Sequence, residues 1–249
     1  MEKTDLNSIF VLMAVDLVAI GIGWAGSQGG AAVLGVPIFA LAVGLAFAIQ
    51  WLAFLPAYMR QTEAFYDLTG SLTYISLTTL AVLLSPEIDG RSVLLLVMVV
   101  IWATRLGTFL FNRVFKKGKD ARFDEIKSSL FRFLTAWTLQ GLWVTMTLSA
   151  ALAAITTKTR KGLGGFAAIG LIVWAIGFAF EVLSDAQKSR FRADPANEGK
   201  FIDSGLWAWS RHPNYFGEIM LWIGAAVVAL PVLRGWQWVT LISPLFVTL

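Results

Sequence analysis

Apolar residues run in long blocks from one end of the chain to the other, separated by short polar or glycine-rich breaks. Blocks of about 17–25 apolar residues are long enough to cross a bilayer as helices. They predict spans at 8–25, 31–57, 67–85, 91–112, 132–156, 163–184, 214–233 and 236–249. The breaks carry turn chemistry: Gly26-Ser27-Gln28-Gly29-Gly30, Ser85-Pro86-Glu87, the stretch 158–165 and the stretch 231–235. The last two blocks, split by Leu230-Pro231 and Arg234-Gly235, read as a tight helical hairpin. Trp24, Trp143, Trp236 and Trp238 sit near span ends, where an amphipathic ring favours the headgroup region.

Composition turns this pattern into a fold class. Of 249 residues, 57% are hydrophobic and 14% charged, against roughly a quarter charged in soluble domains. Mean hydropathy is +0.70. One such block could be a buried core helix, but a series of them cannot. The expected architecture is an all-α polytopic transmembrane bundle of seven or eight spans, forming one membrane-embedded domain over 1–249. With no cysteine, thiolate catalysis and Cys-ligated metals are excluded. A single histidine, His212, leaves no cluster for a metal. The N-terminus, MEKTDLNS, shows no cleavable signal, and the first helix is expected to remain as an anchor.

Charge then orients the bundle. With the N-terminus inside, about 14 of the 20 basic residues fall on the inner side, most of them in two loops at 113–132 and 185–213. Lys158-Thr159-Arg160-Lys161 falls outside and runs against the trend. The expected location is a bacterial inner membrane with both ends cytoplasmic. The basic loops suit any inner-membrane protein. They would equally form one surface for an anionic, phosphate-bearing ligand; nucleic acid is not an expected partner.

An ionisable side chain inside a span costs several kcal/mol, on the order set by bilayer burial, unless it is paired or faces water. The candidates are Asp16, Asp67, Arg105, Glu181, Asp185 and Glu218, with Gln50 and Gln140 as uncharged additions. Glu181 and Asp185 stand one helical turn apart and share a face, so they need cations or donors opposite them. Gly21-x-Gly23-x-x-Gly26 matches a dinucleotide fingerprint in letters only. No strand precedes it, and its glycines read as close-packing positions.

The most informative stretch is Arg211-His212-Pro213-Asn214-Tyr215-Phe216-Gly217-Glu218. Pro213 suits the first turn of a helix. Arg211, His212, Asn214 and Tyr215 then gather donors at a helix N-terminus, a ready place for phosphate or carboxamide. Gly217 permits close approach to the backbone, and Glu218 adds an acceptor one turn after Asn214.

This stretch, with Leu183-Ser184-Asp185-Ala186-Gln187-Lys188-Ser189-Arg190-Phe191-Arg192 about 25 residues before it, resembles the membrane-embedded steroid 5α-reductase family. More closely, it resembles the bacterial branch carried as a domain of unknown function (DUF1295-like), and it is related to sterol reductases and isoprenylcysteine methyltransferases. The likeness covers roughly residues 95–230 and includes Trp102-Ala103-Thr104-Arg105-Leu106-Gly107 and Leu139-Gln140-Gly141. It implies NADPH held among the helices of 91–249, with the helices of 1–90 on the substrate side. Hydride would pass to the conjugated C=C of a hydrophobic enone, with a donor stabilising the developing enolate. On this resemblance Arg105, Lys116, Glu181, Asp185, Arg192, Arg211, His212, Asn214, Tyr215 and Glu218 bind cofactor, while Trp102 and Gln140 meet substrate. Glu181 stands where the steroid enzymes tend to have Asn. Those enzymes hold the substrate oxygen with a Gln-Glu pair that this chain lacks. Gln61 with Glu63, or Tyr66 with Asp67, are the substitutes, and the catalytic role is assigned to Asp67 and Tyr66. The family also continues into a basic, aromatic tail, whereas here the sequence stops at Leu249 in an apolar run.

Two other classes compete. Membrane methyltransferases of lipid or prenyl-type substrates use a similar Arg-His-Pro-x-Tyr-x-Gly cap to hold S-adenosylmethionine. A non-enzymatic lipid-binding protein would have no nucleotide affinity. Asn214, Glu218 and Ser184-Asp185-x-Gln187 favour the reductase.

Overall fold

The computed structural model describes residues 3–117 and 120–248, with side chains described from Leu6 onward except those of Lys116 and Lys117. Its helices are α1 (Lys3–Ser27), α2 (Ile38–Met59), α3 (Tyr66–Leu84), α4 (Gly90–Lys117), α5 (Leu130–Thr156), α6 (Gly165–Ala193), α7 (Pro213–Ala229) and the short α8 (Ile242–Val247). Seven of the described helices, α1 to α7, are long and apolar enough to cross a membrane. The fold is the expected all-α polytopic bundle.

α5 is the central post. From Val144 to Thr156 its side chains are buried on all faces. The small residues of Ser149-Ala150-Ala151-Leu152-Ala153-Ala154 let neighbouring helices close in on it. α1, α2, α3 and α8 pack around this post, and α6 and α7 form a tight antiparallel pair beside it. Thr145, Thr147, Ser149 and Thr156 are fully buried there. The three threonines each return the hydroxyl hydrogen to a backbone carbonyl of their own helix.

Three boundaries differ from the sequence pattern, each for a local reason. The second apolar block begins as a hairpin, β1 (Ala32–Val33) paired antiparallel with β2 (Val36–Pro37), and only then becomes α2. Leu34 and Gly35 both take positive φ, 52° and 83°, the geometry of a tight two-residue hairpin turn. Gly30 bridges to Thr157, tying this hairpin to the end of α5.

α6 runs on to Ala193, well past the expected end at 184, with Arg190 and Arg192 in its last turn. Cations there complement the helix dipole, and the helix leaves the apolar zone without unravelling. Where an eighth span is expected at 236–249, the chain forms a 3-10 helix over Gly235–Leu241 followed by the six-residue α8. The segment is pinned sideways to the bundle: Ser149 donates to the Thr240 carbonyl at 2.8 Å, and Ser243 donates to the Thr147 carbonyl.

The ends of α2, α4 and α6, the starts of α3, α5 and α7, and the basic connections between them share one side, called here the basic face. On the opposite side Arg91, itself buried, donates to the Val228 carbonyl in the last turn of α7 and to the Gly162 carbonyl ahead of α6. That clamp satisfies helix-end carbonyls which would otherwise lack partners.

Candidate functional site

The site is built where α4 meets the α6–α7 pair. Gly170 and Gly177 on α6 and Gly217 and Gly224 on α7 lie on facing stripes at the same seven-residue spacing. A Cβ at Gly177 would stand 2.5 Å from the Leu221 nitrogen, and one at Gly217 would stand 2.6 Å from the Glu181 nitrogen. A Cβ at Gly170 would meet the Gly224 carbonyl oxygen at 2.6 Å. The two backbones are therefore in direct contact, which only glycine allows. This contact seats the first turns of α7 against Glu181.

Opposite stands Arg105 of α4. Its guanidinium donates to Glu181 Oε1 at 2.7 Å and to Asp185 Oδ2 at 2.7 Å, with Phe109 against it at 5.2 Å. The indole N–H of Trp102 donates to the other Glu181 oxygen at 3.1 Å. One cation thus serves two carboxylates spaced one turn apart, as the sequence demands of them. Glu218, on α7, is half-buried and within electrostatic range of Glu181, Asp185 and Tyr74. Two carboxylates therefore hold one guanidinium, with a third carboxylate on α7 in range of both of them.

Aromatic rings close the inner wall. Trp102 meets Trp222 edge-on at 5.0 Å and Tyr74 at 5.0 Å. The Tyr74 hydroxyl bonds to Thr147 of α5. All three rings are buried. At the start of α7, Asn214 Oδ1 is buried with no hydrogen-bond partner, and so is the indole nitrogen of Trp222. An orphaned buried acceptor costs on the order of 1–3 kcal/mol, so the Asn214 oxygen is open to a donor.

Toward the basic face the sign of the charge reverses. Lys188, held over the Trp207 ring at 4.4 Å, lies within electrostatic range of Arg113 and Arg192 as well as Asp185. Trp207 is fixed in turn by donating to the Ser184 carbonyl at 3.0 Å. Gly205 makes that connection possible: its φ is +61°, and a Cβ would collide with Gln187, which accepts from the Leu206 N–H.

The other expected residues fall in several places. Arg211, His212 and Tyr215 are exposed, with His212 stacked on Tyr215 at 5.2 Å. Arg192 is exposed in the last turn of α6. The side chain of Lys116 lies outside the described residues. Trp102 is buried and its N–H is committed to Glu181. Gln140 donates to the Tyr66 carbonyl at 3.1 Å and packs on Gly70, linking α5 to α3.

The expected catalytic pair lies apart from the triad of Arg105, Glu181 and Asp185. The Tyr66 hydroxyl donates to the Ala136 carbonyl at 2.9 Å, and its ring packs against Phe123 and Trp137. Asp67 sits 3.7 Å from Arg113 and 3.9 Å from Arg122, among the cations of the basic face. α3 runs antiparallel to α4, with Ser71 against Gly107 and Tyr74 on Trp102. Tyr74, not Tyr66, is therefore the tyrosine level with the triad. Tyr74 and Trp222 carry no sequence signal of their own. The seven-residue glycine spacing shared by α6 and α7 is legible in the sequence and marks their contact.

A family model described as "Protein of unknown function (DUF1295)" matches residues 53–249. The chain belongs to the DUF1295 family. Among curated proteins, this DUF1295 protein is 32% identical to "Probable O-methyltransferase ustE" of Ustilaginoidea virens, over 40% of each chain. It is 24% identical to "Uncharacterized protein C594.04c" of Schizosaccharomyces pombe, over 53% of this chain and 46% of that one. The chain thus spans less than half the length of the curated relatives it matches. No solved structure matches it. The matched region contains Arg105, Glu181, Asp185, Asn214 and Glu218.

Proposed function

We propose that this protein is a membrane-embedded, NADPH-dependent reductase of a hydrophobic enone, with its cofactor site open to the cytoplasm of a bacterial cell. The reading is carried by the cations gathered at the basic face. Lys188 has Arg113 and Arg192 in range, and Asp185 and Asp67 offset only part of that positive charge, so an added anion is favoured among them. NADPH brings phosphates to such a place, and S-adenosylmethionine has none. The inner residues fit the other end of the same cofactor: the orphaned Asn214 oxygen accepts from a carboxamide N–H, with Glu218 one turn further along.

When bound, the cofactor supplies a hydride. The chain's own part is to hold and to exclude. Arg105, fixed by Glu181 and Asp185, holds the cofactor-side wall in one geometry. Trp102, Trp222 and Tyr74 keep water from its inner face, which strengthens every polar contact inside. Asp67, between Arg113 and Arg122, belongs in this reading to the phosphate end and not to the carbonyl end.

A second reading has specific support. Glu181, Asp185 and Glu218 outnumber Arg105, which suits a cationic ligand, and one relative bears the name of an O-methyltransferase. S-adenosylmethionine carries a sulfonium and an ammonium. Thermal unfolding of the purified protein in detergent, titrated separately with NADPH, NADH and S-adenosylmethionine, separates the two. NADPH at about 100 times its Kd should stabilise the native state by about 2.7 kcal/mol, and Lys188→Ala or Asn214→Ala should remove most of that gain. Stabilisation by S-adenosylmethionine alone overturns the reductase reading in favour of the second.

A further inference from the structure

A groove of about 570 Å³ runs along α4, lined by Val100, Ile101, Thr104, Arg105, Thr108, Phe109 and Asn112. These positions form one helical stripe, facing away from α3 and from the buried Trp102 and Ala103. α4 reaches α6 mainly through the Arg105 ion pairs, so the groove is the space left beside that bridge.

Its chemistry is graded. The deep end is aliphatic, Val100 and Ile101. Toward the basic face follow Thr104, Thr108 and Asn112, spaced one turn apart and exposed within a membrane span. Hydroxyl and amide groups on a bilayer-facing helix normally meet protein or a polar cavity, not hydrocarbon. Thr108 donates to the Thr104 carbonyl, and Asn112 has no hydrogen-bond partner among the described residues. The stripe is polar at one end and apolar at the other, with free hydrogen-bonding capacity at the polar end.

Size and charge narrow the occupant. Val100 to Asn112 spans about 18 Å at 1.5 Å per residue, so the cavity averages about 30 Å² in section. That is about the section of one hydrocarbon chain or one flat ring body. The only charged side chain in the lining, Arg105, is already matched by Glu181 and Asp185, so the lining itself offers an anionic head no free cation.

We propose that the α4 groove binds a single-tailed amphiphile with a neutral hydrogen-bonding head, drawn sideways from the bilayer. Its tail lies on Val100 and Ile101, and its head meets Thr104, Thr108 and Asn112. This names the substrate class of the reductase reading, and rests on that reading only in calling the occupant a substrate.

The test is photolabelling of the whole chain in phosphatidylcholine nanodiscs, without any cofactor. Three diazirine probes are compared: a C16 alcohol, a C16 fatty acid at pH 8 and a diacyl phosphatidylcholine. Labelled positions are mapped by mass spectrometry. The alcohol should label 100–112 several-fold more than either other probe. Unlabelled hexadecanol should compete, and Ile101→Trp, which fills the deep end, should reduce the label at least fivefold. Thr104→Val, a near-isosteric change that spares packing, should weaken it about threefold, so the outcome does not hang on the bulkier variant folding. Equal labelling by the diacyl probe, stronger labelling by the fatty acid, or label spread over the outer face of α1 without competition overturns the proposal. Because no cofactor is present, failure to bind NADPH leaves this result unchanged, and the two readings fail separately.

Discussion

α6 meets its two partners in opposite ways. Against α7 it has backbone on backbone, at four glycines where even a methyl group would collide. Against α4 it has little more than one guanidinium reaching two carboxylates, with a groove beside them. The first interface is dry, continuous and shape-determined. The second is a polar strut across a gap. The groups proposed to bind ligand are divided accordingly: Asn214, Glu218, Glu181 and Asp185 sit on the rigid pair, and Arg105 and the open stripe sit on the helix that stands off. A site assembled this way has one fixed wall and one wall through which a ligand can come.

The strut is the place to break that comparison hardest. Arg105→Ala leaves Glu181 and Asp185 buried without a cation. Removing one partner of a buried ion pair costs about 3–5 kcal/mol, so the thermal midpoint should fall by roughly 10 °C or more. The triple variant Arg105→Met, Glu181→Leu, Asp185→Leu replaces the charges with apolar bulk and should recover most of that stability while binding no NADPH. Failure of the triple variant to recover would mean that the strut shapes the fold itself and is not retained for the ligand. The glycine seam should give a smaller but sharper effect. Gly217→Ala places a methyl 2.6 Å from backbone atoms of α6, and overpacking of this kind costs about 1–3 kcal/mol. Gly44→Ala, with nothing within 4 Å of the new atom, is the matched control and should not lower the midpoint. Equal effects at the two positions would mean that the α6–α7 seam yields under load.

Much of this was legible in the sequence, and the misses have a common physical origin. Span number and type follow from block length and hydropathy, which act locally. The polar motif at the start of α7 and the need of Glu181 and Asp185 for a cation are likewise local or helical-face arguments, and Arg105 meets that need. Partner choice across helices is different, because interhelical register is set by small residues and not by the charges. Tyr66 and Asp67 enter the membrane at the start of α3, as their positions suggest, yet antiparallel packing on α4 puts Arg113 beside Asp67 and leaves Tyr74 level with the triad. Glu63 is a third case. As one of a substitute pair for substrate binding it draws attention, but the chain folds it inward as a structural anchor: it is buried, accepts from Lys127 at 3.0 Å and accepts from the Asp120 N–H at 2.9 Å.

That anchor supplies the smallest test, on the segment 120–129, which lies over the basic face with Phe123 buried among Tyr66, Phe133 and Trp137. Arg122 beside Asp120 holds that carboxyl below its ordinary value of 3.8, and Glu63 beside Lys127 holds that ammonium above its ordinary 10.5. A depressed carboxylate stabilises the fold above its unfolded pKa and loses that contribution as pH falls through the folded value. A raised ammonium stabilises below its unfolded pKa and loses its contribution as pH rises through the folded value. Hydrogen exchange over 120–129, corrected for intrinsic rate, should therefore be best protected between about pH 4 and 10. Glu63→Gln should raise local opening by about 1 kcal/mol, roughly fivefold in exchange, while α6 and α7 keep their protection. If α6 and α7 loosen as well, the basic-face segment and the glycine seam are one cooperative unit, and the division between a rigid pair and a movable wall must be redrawn.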